Sequence, residues 1–257
     1  MKKFTLVFIS FLMIGFLAAC GANSDNTNGS EKKVLKMATS ADYPPFEYID
    51  TAKSSDIIGF DIDLAKALAE KTGYTLQIQD MDFNSLIPAL QAKQIDVVLA
   101  GMSKDPEREK NVDFSDVYFT ANHMIVSLKD KEIKSVDEFN GKTIGVQLGS
   151  IQEEKANELA KEYDIKIENR NKISDLVQEL KSGRIDAAII EDLVAEDYFK
   201  NDQSLTGFTL EEANEEGYAM AFQKDAKLTK EFNDALVEMK ESGELDKLVK
   251  KWLGDIN

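Results

Sequence analysis

The chain has 257 residues, with 31 basic against 47 acidic side chains and a formal charge of −16. So acidic a chain excludes the basic patch that nucleic-acid phosphates require and disfavours flat adsorption to anionic lipid. With a single cysteine and a single histidine, it holds no Cys/His set of metal-ligand spacing and no Cys–His pair for nucleophilic catalysis, so no metal or cofactor is expected.

Lys2 and Lys3 precede an apolar run over residues 4–16, and Leu17-Ala18-Ala19-Cys20 follows. A basic start, a short greasy stretch and small residues are the layout of a cleaved secretory signal. The run is too short to span a bilayer, which takes about 20 apolar residues. It resembles the lipobox of bacterial lipoproteins, in which the cysteine is acylated and becomes the mature N-terminus. The alternative is an ordinary signal with an incidental thiol. On the lipobox reading residues 1–19 are a signal peptide. Cys20 then carries a diacylglyceryl group and palmitate, enough chains for stable anchoring. The expected location is the cell membrane, lipid-anchored and facing outside the cytoplasm. Residues 20–33, rich in Asn, Ser, Thr, Asp and Gly, cannot bury enough surface to order and read as a flexible tether. No later stretch is long and apolar enough to cross a membrane.

From Val34 onward strand-like and helix-like patterns alternate, the mark of an α/β fold. Residues 34–39 read as a strand and 60–72 as an amphipathic helix burying Ile62, Leu64, Ala65, Leu68 and Ala69. Residues 75–79 follow as a strand, 85–91 as a helix and 96–100 as a strand. The pattern then recurs about 90 residues on. Leu86, Leu90, Ile95 and Asp96 are matched by Leu176, Leu180, Ile185 and Asp186. Gly59 likewise matches Gly149, ahead of a helix expected over 150–163, and the strand 74–78 corresponds to 163–167. Two copies of so long a unit are two lobes rather than a solenoid; chance similarity between α/β units is the alternative.

Ligands bind α/β sheets beyond the carboxyl ends of their strands, and helix N-termini there hold anions. Two such lobes present their ligand edges to each other across a cleft, and lobe pairs of this kind close by hinge motion. Lobe one offers the stiff aromatic loop Asp42-Tyr43-Pro44-Pro45-Phe46-Glu47. It also offers Gly101, where backbone can approach a ligand, then Ser103, and Arg108, which can present two parallel donors to a carboxylate. Lobe two offers Gly149-Ser150-Ile151-Gln152 at a helix start, and Glu191, which stands as far into the second unit as Gly101 into the first. Arg108 with the amides of Ser103 and Ile151 would clamp a carboxylate. Glu191 with the Gly101 carbonyl and the Ser103 hydroxyl would clamp an ammonium. These are the two ends of an α-amino acid, with Tyr43 and Phe83 as flat walls for its side chain. Taken singly, Arg108 could be a surface ion pair, Glu191 an acid favoured by the helix macrodipole, and either aromatic a core residue.

Tyr43-Pro44-Pro45-Phe46-Glu47, Gly59-Phe60-Asp61-Ile62-Asp63-Leu64, Leu86-Ile87-Pro88-Ala89-Leu90, Asp113-Phe114-Ser115-Asp116 and Arg184-Ile185-Asp186-Ala187-Ala188 together resemble the family 3 solute-binding proteins of ABC transporters, over essentially all of residues 34–253. The resemblance implies a two-lobe periplasmic-binding-protein-like fold of type II with the ligand cleft between lobes. It implies chain crossings near 119–123 and 217–222, so that 34–120 and 221–257 form lobe one and 121–220 lobe two. The C-terminal helices would return to lobe one. It implies a monomer, not an enzyme, that captures a polar L-amino acid and delivers it to a membrane permease; arginine or another cationic amino acid is favoured, glutamine next. The ligand positions it implies are Tyr43, Phe83, Gly101, Ser103, Arg108, Ile151 and Glu191. There are departures. Relatives often carry Asp where Glu191 stands and Thr where Ile151 stands, leaving only a backbone amide there. Several have Asp in place of Ser40, whose absence removes an acid that could meet a cationic side chain. Gln147 could set specificity instead. The competing reading is a dehydratase-like enzyme on the same fold. Against it, His123 is expected at a lobe crossing in a structural role.

Overall fold

The computed structural model describes residues 33–210 and 217–254. The segments read as signal peptide and tether, Cys20 included and Lys33 excepted, lie outside the described residues. Lys33 already belongs to the first strand, one residue earlier than the sequence suggests.

In chain order, β1 (Lys33–Thr39) leads to three short strands, β2 (Asp42–Tyr43), β3 (Glu47–Ile49) and β4 (Ile57–Ile58), then α1 (Phe60–Thr72) and β5 (Tyr74–Asp80). Next come α2 (Leu86–Gln91), β6 (Val97–Val98), α3 (Pro106–Glu109) and β7 (Val112–Phe114). A second series follows: β8 (His123–Leu128), β9 (Lys142–Gln147), α4 (Ile151–Leu159), β10 (Ile165–Arg170), α5 (Ile173–Ser182), β11 (Ala187–Glu191), α6 (Asp192–Asn201) and β12 (Leu205–Thr209). The chain closes with β13 (Ala221–Gln223), α7 (Lys227–Glu241) and α8 (Glu244–Trp252).

The long strands form two five-stranded sheets, ordered β5-β1-β6-β13-β7 and β10-β9-β11-β8-β12. In each, the first three strands run parallel and the last two alternate in direction. The two sheets are therefore one topology written twice, as the sequence repeat requires. The recurring aspartate has the same task in both copies. Asp96 accepts the Lys36 N–H at 2.8 Å and Asp186 accepts the Thr143 N–H at 2.9 Å. Each returns its own N–H to the same residue's carbonyl at 2.8 Å. This fastens the central strand to its neighbour just where the ladder begins.

Burial follows the apolar spacing. Phe60, Ile62, Leu64 and Leu68 of α1 are fully buried, as are Leu86 and Leu90 of α2 and Leu176 of α5. Gly73 ends α1 and Gly183 ends α5 in the left-handed conformation, the geometry that lets a helix stop while its last carbonyls stay bonded. Helices α7 and α8 return to the first sheet's side. Lys71 at the end of α1 reaches Glu238 and Glu244 at 3.0 and 3.2 Å, and the Trp252 indole donates to Asp63 at 2.9 Å.

Several boundaries differ from the sequence reading. The helix expected over 150–163 ends at Leu159, and the strand expected from 163 begins at Ile165. Tyr163 is drawn out of both because its ring packs edge-on against Phe139, with centroids 6.0 Å apart. The strand expected over 96–100 keeps only Val97 and Val98 in its ladder. His123 is not in a crossing but opens β8, opposite Glu191. The crossings themselves run from β7 to β8 and from β12 to β13. They meet where Phe119 and Ser103 each bridge to Tyr218.

Gly59 decides how the aromatic loop sits on α1. Its φ is +137°, and a Cβ there would lie 2.1 Å from the Phe46 carbonyl oxygen. Only glycine permits this approach, which sets Glu47 over the first turn of α1. Gly59→Ala is therefore expected to lower unfolding stability by about 2–4 kcal/mol, read from urea midpoints at constant slope.

Candidate ligand-binding site

Ser40, Tyr43, Glu47, Phe83, Ala100, Gly101, Ser103 and Arg108 of the first sheet's side share a narrow crevice with Gln147, Ser150, Ile151 and Gln152 of the second sheet's side. An adjoining crevice shares Ser103, Ile151 and Gln152 and reaches Ala121, His123, Glu191 and Tyr218. Every expected ligand position except Glu191 lines the first crevice, and Glu191 lines the second. The topology brings them together: residues after β1, β6, β9 and β11 all lie at carboxyl strand ends.

Arg108 sits on the short helix α3. Asp105 caps that helix, accepting the N–H groups of Glu107 and Arg108 at 2.8 and 3.0 Å. The same aspartate lies 2.9 Å from Arg108 Nε. Arg108 Nη1 donates to the Ser103 carbonyl at 2.7 Å, and Nη2 crosses the cleft to the Gly149 carbonyl at 3.0 Å. The guanidinium carbon stands 5.4 Å from the centre of the Phe83 ring, within reach of a cation–π attraction. The surface ion-pair alternative fails, since Arg108 is only 8% exposed. On the facing wall, Ser150 caps α4 by accepting the Glu153 N–H at 3.2 Å. Ile151 is the first residue of that helix.

Gly101 has a φ of +52°, and a side chain on it would press on the Tyr43 ring at 3.0 Å. Its N–H donates to Asp61 Oδ2 at 2.8 Å, and the Tyr118 hydroxyl donates to the same oxygen at 2.7 Å. Tyr43 and Tyr218 touch through their hydroxyls at 3.4 Å. Asp61 thus anchors the Gly101 backbone on the first sheet's side of the crevice.

Besides Asp105, which is paired with Arg108, three acids are buried here: Glu47 and Asp61 fully, Glu191 to 2% exposure. Neither oxygen of Glu47 or of Glu191 has a hydrogen-bond partner, nor does Asp61 Oδ1. Burial drives all three carboxyls toward the protonated form, Asp61 to about 6. Glu47 is pushed further by the charge of Asp61, whereas Asp61 is held down by the Gly101 N–H and the Tyr118 hydroxyl. The side-chain contact between the two raises Glu47 and lowers Asp61, so it favours the neutral form on Glu47 and the ionised form on Asp61. Glu191 has the Tyr218 hydroxyl close enough to favour its ionised form, but without a well-formed hydrogen bond.

The two polar residues singled out for specificity are already engaged. Ser40 Oγ donates to Asp42 at 3.1 Å, and Gln147 Nε2 to the Asn171 carbonyl at 3.1 Å. Sequence reasoning missed Glu47, Asp61, Tyr118 and Tyr218 as members of the site. Glu47 and Asp61 stand in motifs that were noticed, but only the packing at Gly59 turns them toward one another. Among the described residues no group of His, Cys, Asp and Glu could hold a metal ion, and no helix is long and apolar enough to cross a membrane.

Two lobes of repeated topology, with a buried and charged crevice at their facing strand ends, define a two-lobe solute-binding fold. The profile of the bacterial extracellular solute-binding proteins, family 3, matches residues 35–255, and the chain belongs to that family. It is 58% identical over 254 residues to the arginine-binding extracellular protein ArtP of Bacillus subtilis strain 168, covering 98% of both chains. An ancestral arginine-binding protein solved with arginine is 42% identical, with a TM-score of 0.81 over 86% of this chain and 98% of that one. An ancestral arginine-binding protein solved with glutamine is 41% identical, with the same TM-score and coverage.

The raised carboxyls fix a sign for the pH dependence of the ligand-free fold. Between pH 3.8 and about 6 the folded Asp61 keeps a proton that the unfolded chain has lost. The native state then binds more protons, so raising the pH through this window weakens it. The urea midpoint of wild type relative to Asp61→Asn is expected to fall as pH rises across the window. A constant difference would show that Asp61 ionises normally.

Proposed function

We propose that the crevice binds an L-amino acid with a cationic side chain, arginine first, and that hinge closure presents it to the permease of an ABC transporter. The observation that carries this reading is the charge complement of the buried site. Arg108 faces it as a guanidinium, and Glu191 and Glu47 face it as two buried carboxyls. A cationic amino acid has the complementary set: one carboxylate, one ammonium and one side-chain cation. Arg108 and the Ser103 and Ile151 amides take the carboxylate. Glu191, with the Gly101 carbonyl and Ser103 hydroxyl, takes the ammonium. Tyr43 and Phe83 flank the side chain, and Glu47 supplies the acid that Ser40 does not. The 58% identity to an arginine-binding protein supports the same ligand.

Glutamine is the second reading, favoured by the drive of Glu47 toward its neutral form, which can hydrogen-bond an uncharged amide. The chain acts as a binding protein, not as an enzyme, and as a monomer. Residues 34–120 with 221–257 form one lobe and 121–220 the other, a division supported by the membership of the two sheets. Processing at Cys20 and its acylation hold the folded part at the outer face of the cell membrane.

Calorimetry with wild type is expected to show arginine binding. Arg108→Ala and Glu191→Ala are each expected to weaken it at least about 100-fold, since each strands a buried charge of the ligand. Glu47→Gln is expected to weaken arginine about 10- to 100-fold while glutamine changes far less. Equal loss for both ligands would remove Glu47 from the side-chain subsite. Cys20→Ser is expected to move the protein from the membrane fraction to the medium, and intact mass of the wild type to show the acyl groups.

A further inference from the structure

The start of α5 lacks a cap of its own. Its N-cap residue is Lys172, which makes no side-chain capping hydrogen bond, although the first N–H groups of a helix need acceptors from outside it. The acceptor comes from the other lobe. Asp42 Oδ2, on β2, accepts the Ile173 N–H at 2.5 Å across the cleft. The two preceding residues are held by lobe-one acids as well. Lys172 Nζ reaches Asp80 at 3.5 Å and Asn171 Nδ2 donates to Asp82 at 2.9 Å. Three consecutive donors of lobe two thus meet three acids of lobe one.

This seam is tied to the ligand crevice on both sides. Ser40, which lines the crevice, donates to the other oxygen of Asp42, and Gln147, which lines the facing wall, donates to the Asn171 carbonyl. Asp80 is braced by the Ala41 N–H at 2.8 Å. None of Asp42, Asn171 and Ile173 lines the crevice itself.

We propose that Asp42 is a closure latch: a trans-lobe helix cap that forms only when the cleft is shut, and so sets how long any ligand stays bound without touching it. The inference rests on the hinge-closing reading above. A ligand's apparent affinity scales with the fraction of protein in the closed form, and a lobe-two helix left uncapped in the open form favours closing. Ser40 and Gln147 are then positioning residues that report an occupied crevice to the latch.

Stopped-flow dissociation and calorimetry with arginine and with glutamine, on full-length protein, test it. Asp42→Ala is expected to speed dissociation about ten-fold, by the same factor for every ligand bound, with the on-rate little changed. Asp42→Asn, which keeps an oxygen acceptor, is expected to restore most of the slow release. Asp82→Ala, which leaves α5 and β2 untouched, is expected to act in the same direction and more weakly. Release within two-fold of wild type in Asp42→Ala overturns the latch. So does a loss confined to one ligand, or an Asp42→Asn variant as fast as Asp42→Ala. A wild type that binds glutamine and not arginine overturns the arginine reading while the latch is tested unchanged with glutamine. A wild type that binds neither overturns both.

Discussion

Taking a carboxylate out of water costs several kcal/mol unless a partner replaces its hydration, and this fold buries a group of them around one crevice. Asp61 is the fixed point of the group. One of its oxygens accepts from both the Gly101 amide and the Tyr118 hydroxyl, and through the first it fixes the Gly101 backbone at the edge of the crevice. Glu47 is pressed against it because Gly59 lets the Phe46–Glu47 backbone approach the start of α1 at a distance no other residue allows. The consequence is a group of buried acids whose charge the protein itself leaves uncompensated. Glu191 keeps both carboxyl oxygens buried without a well-formed hydrogen bond.

The repeated architecture explains why the uncompensated groups collect in one place. Asp96 and Asp186 carry out the same strand-fastening task in the two lobes, so that part of the repeat is structural in both copies. One strand-length further along, the copies part. The first ends in Gly101, whose lack of a side chain leaves backbone exposed against Tyr43. The second ends in Glu191, a buried acid. The same position in one topology thus delivers a backbone acceptor from one side and a carboxylate from the other. The repeat copies the scaffold, and the strand ends are where the copies acquire different chemistry.

The seam on the far side of the crevice obeys the same logic of incomplete parts. Helix α5 begins on a lysine that cannot accept its N–H groups, and the missing acceptor is an aspartate in the other lobe. A helix that is whole only when the lobes meet converts an ordinary capping requirement into a preference for the closed form. The crevice residues Ser40 and Gln147, whose polarity suggested ligand contact, spend a hydrogen bond each on this seam.

Much of this was readable from the chain alone. Apolar spacing located α1, α2 and the strands β1, β5 and β6, because a buried face must repeat with the period of its element. The internal repeat implied two lobes, and strand ends followed by Gly101, Arg108 and Glu191 marked the cleft, because ligand groups collect where parallel strands stop. The errors were local: Tyr163 left its helix to pack on Phe139, and His123 joined a strand. What the linear pattern did not contain is which distant groups face one another. Glu47 and Asp61 are separated by the loop that Gly59 folds back, and Asp42 and Ile173 belong to different lobes. Pairings of that kind depend on the angle between packed elements rather than on spacing along the chain. The sequence therefore determined which chemistry was present, and only the tertiary structure decided which acids meet, which await a ligand and which hold the lobes shut.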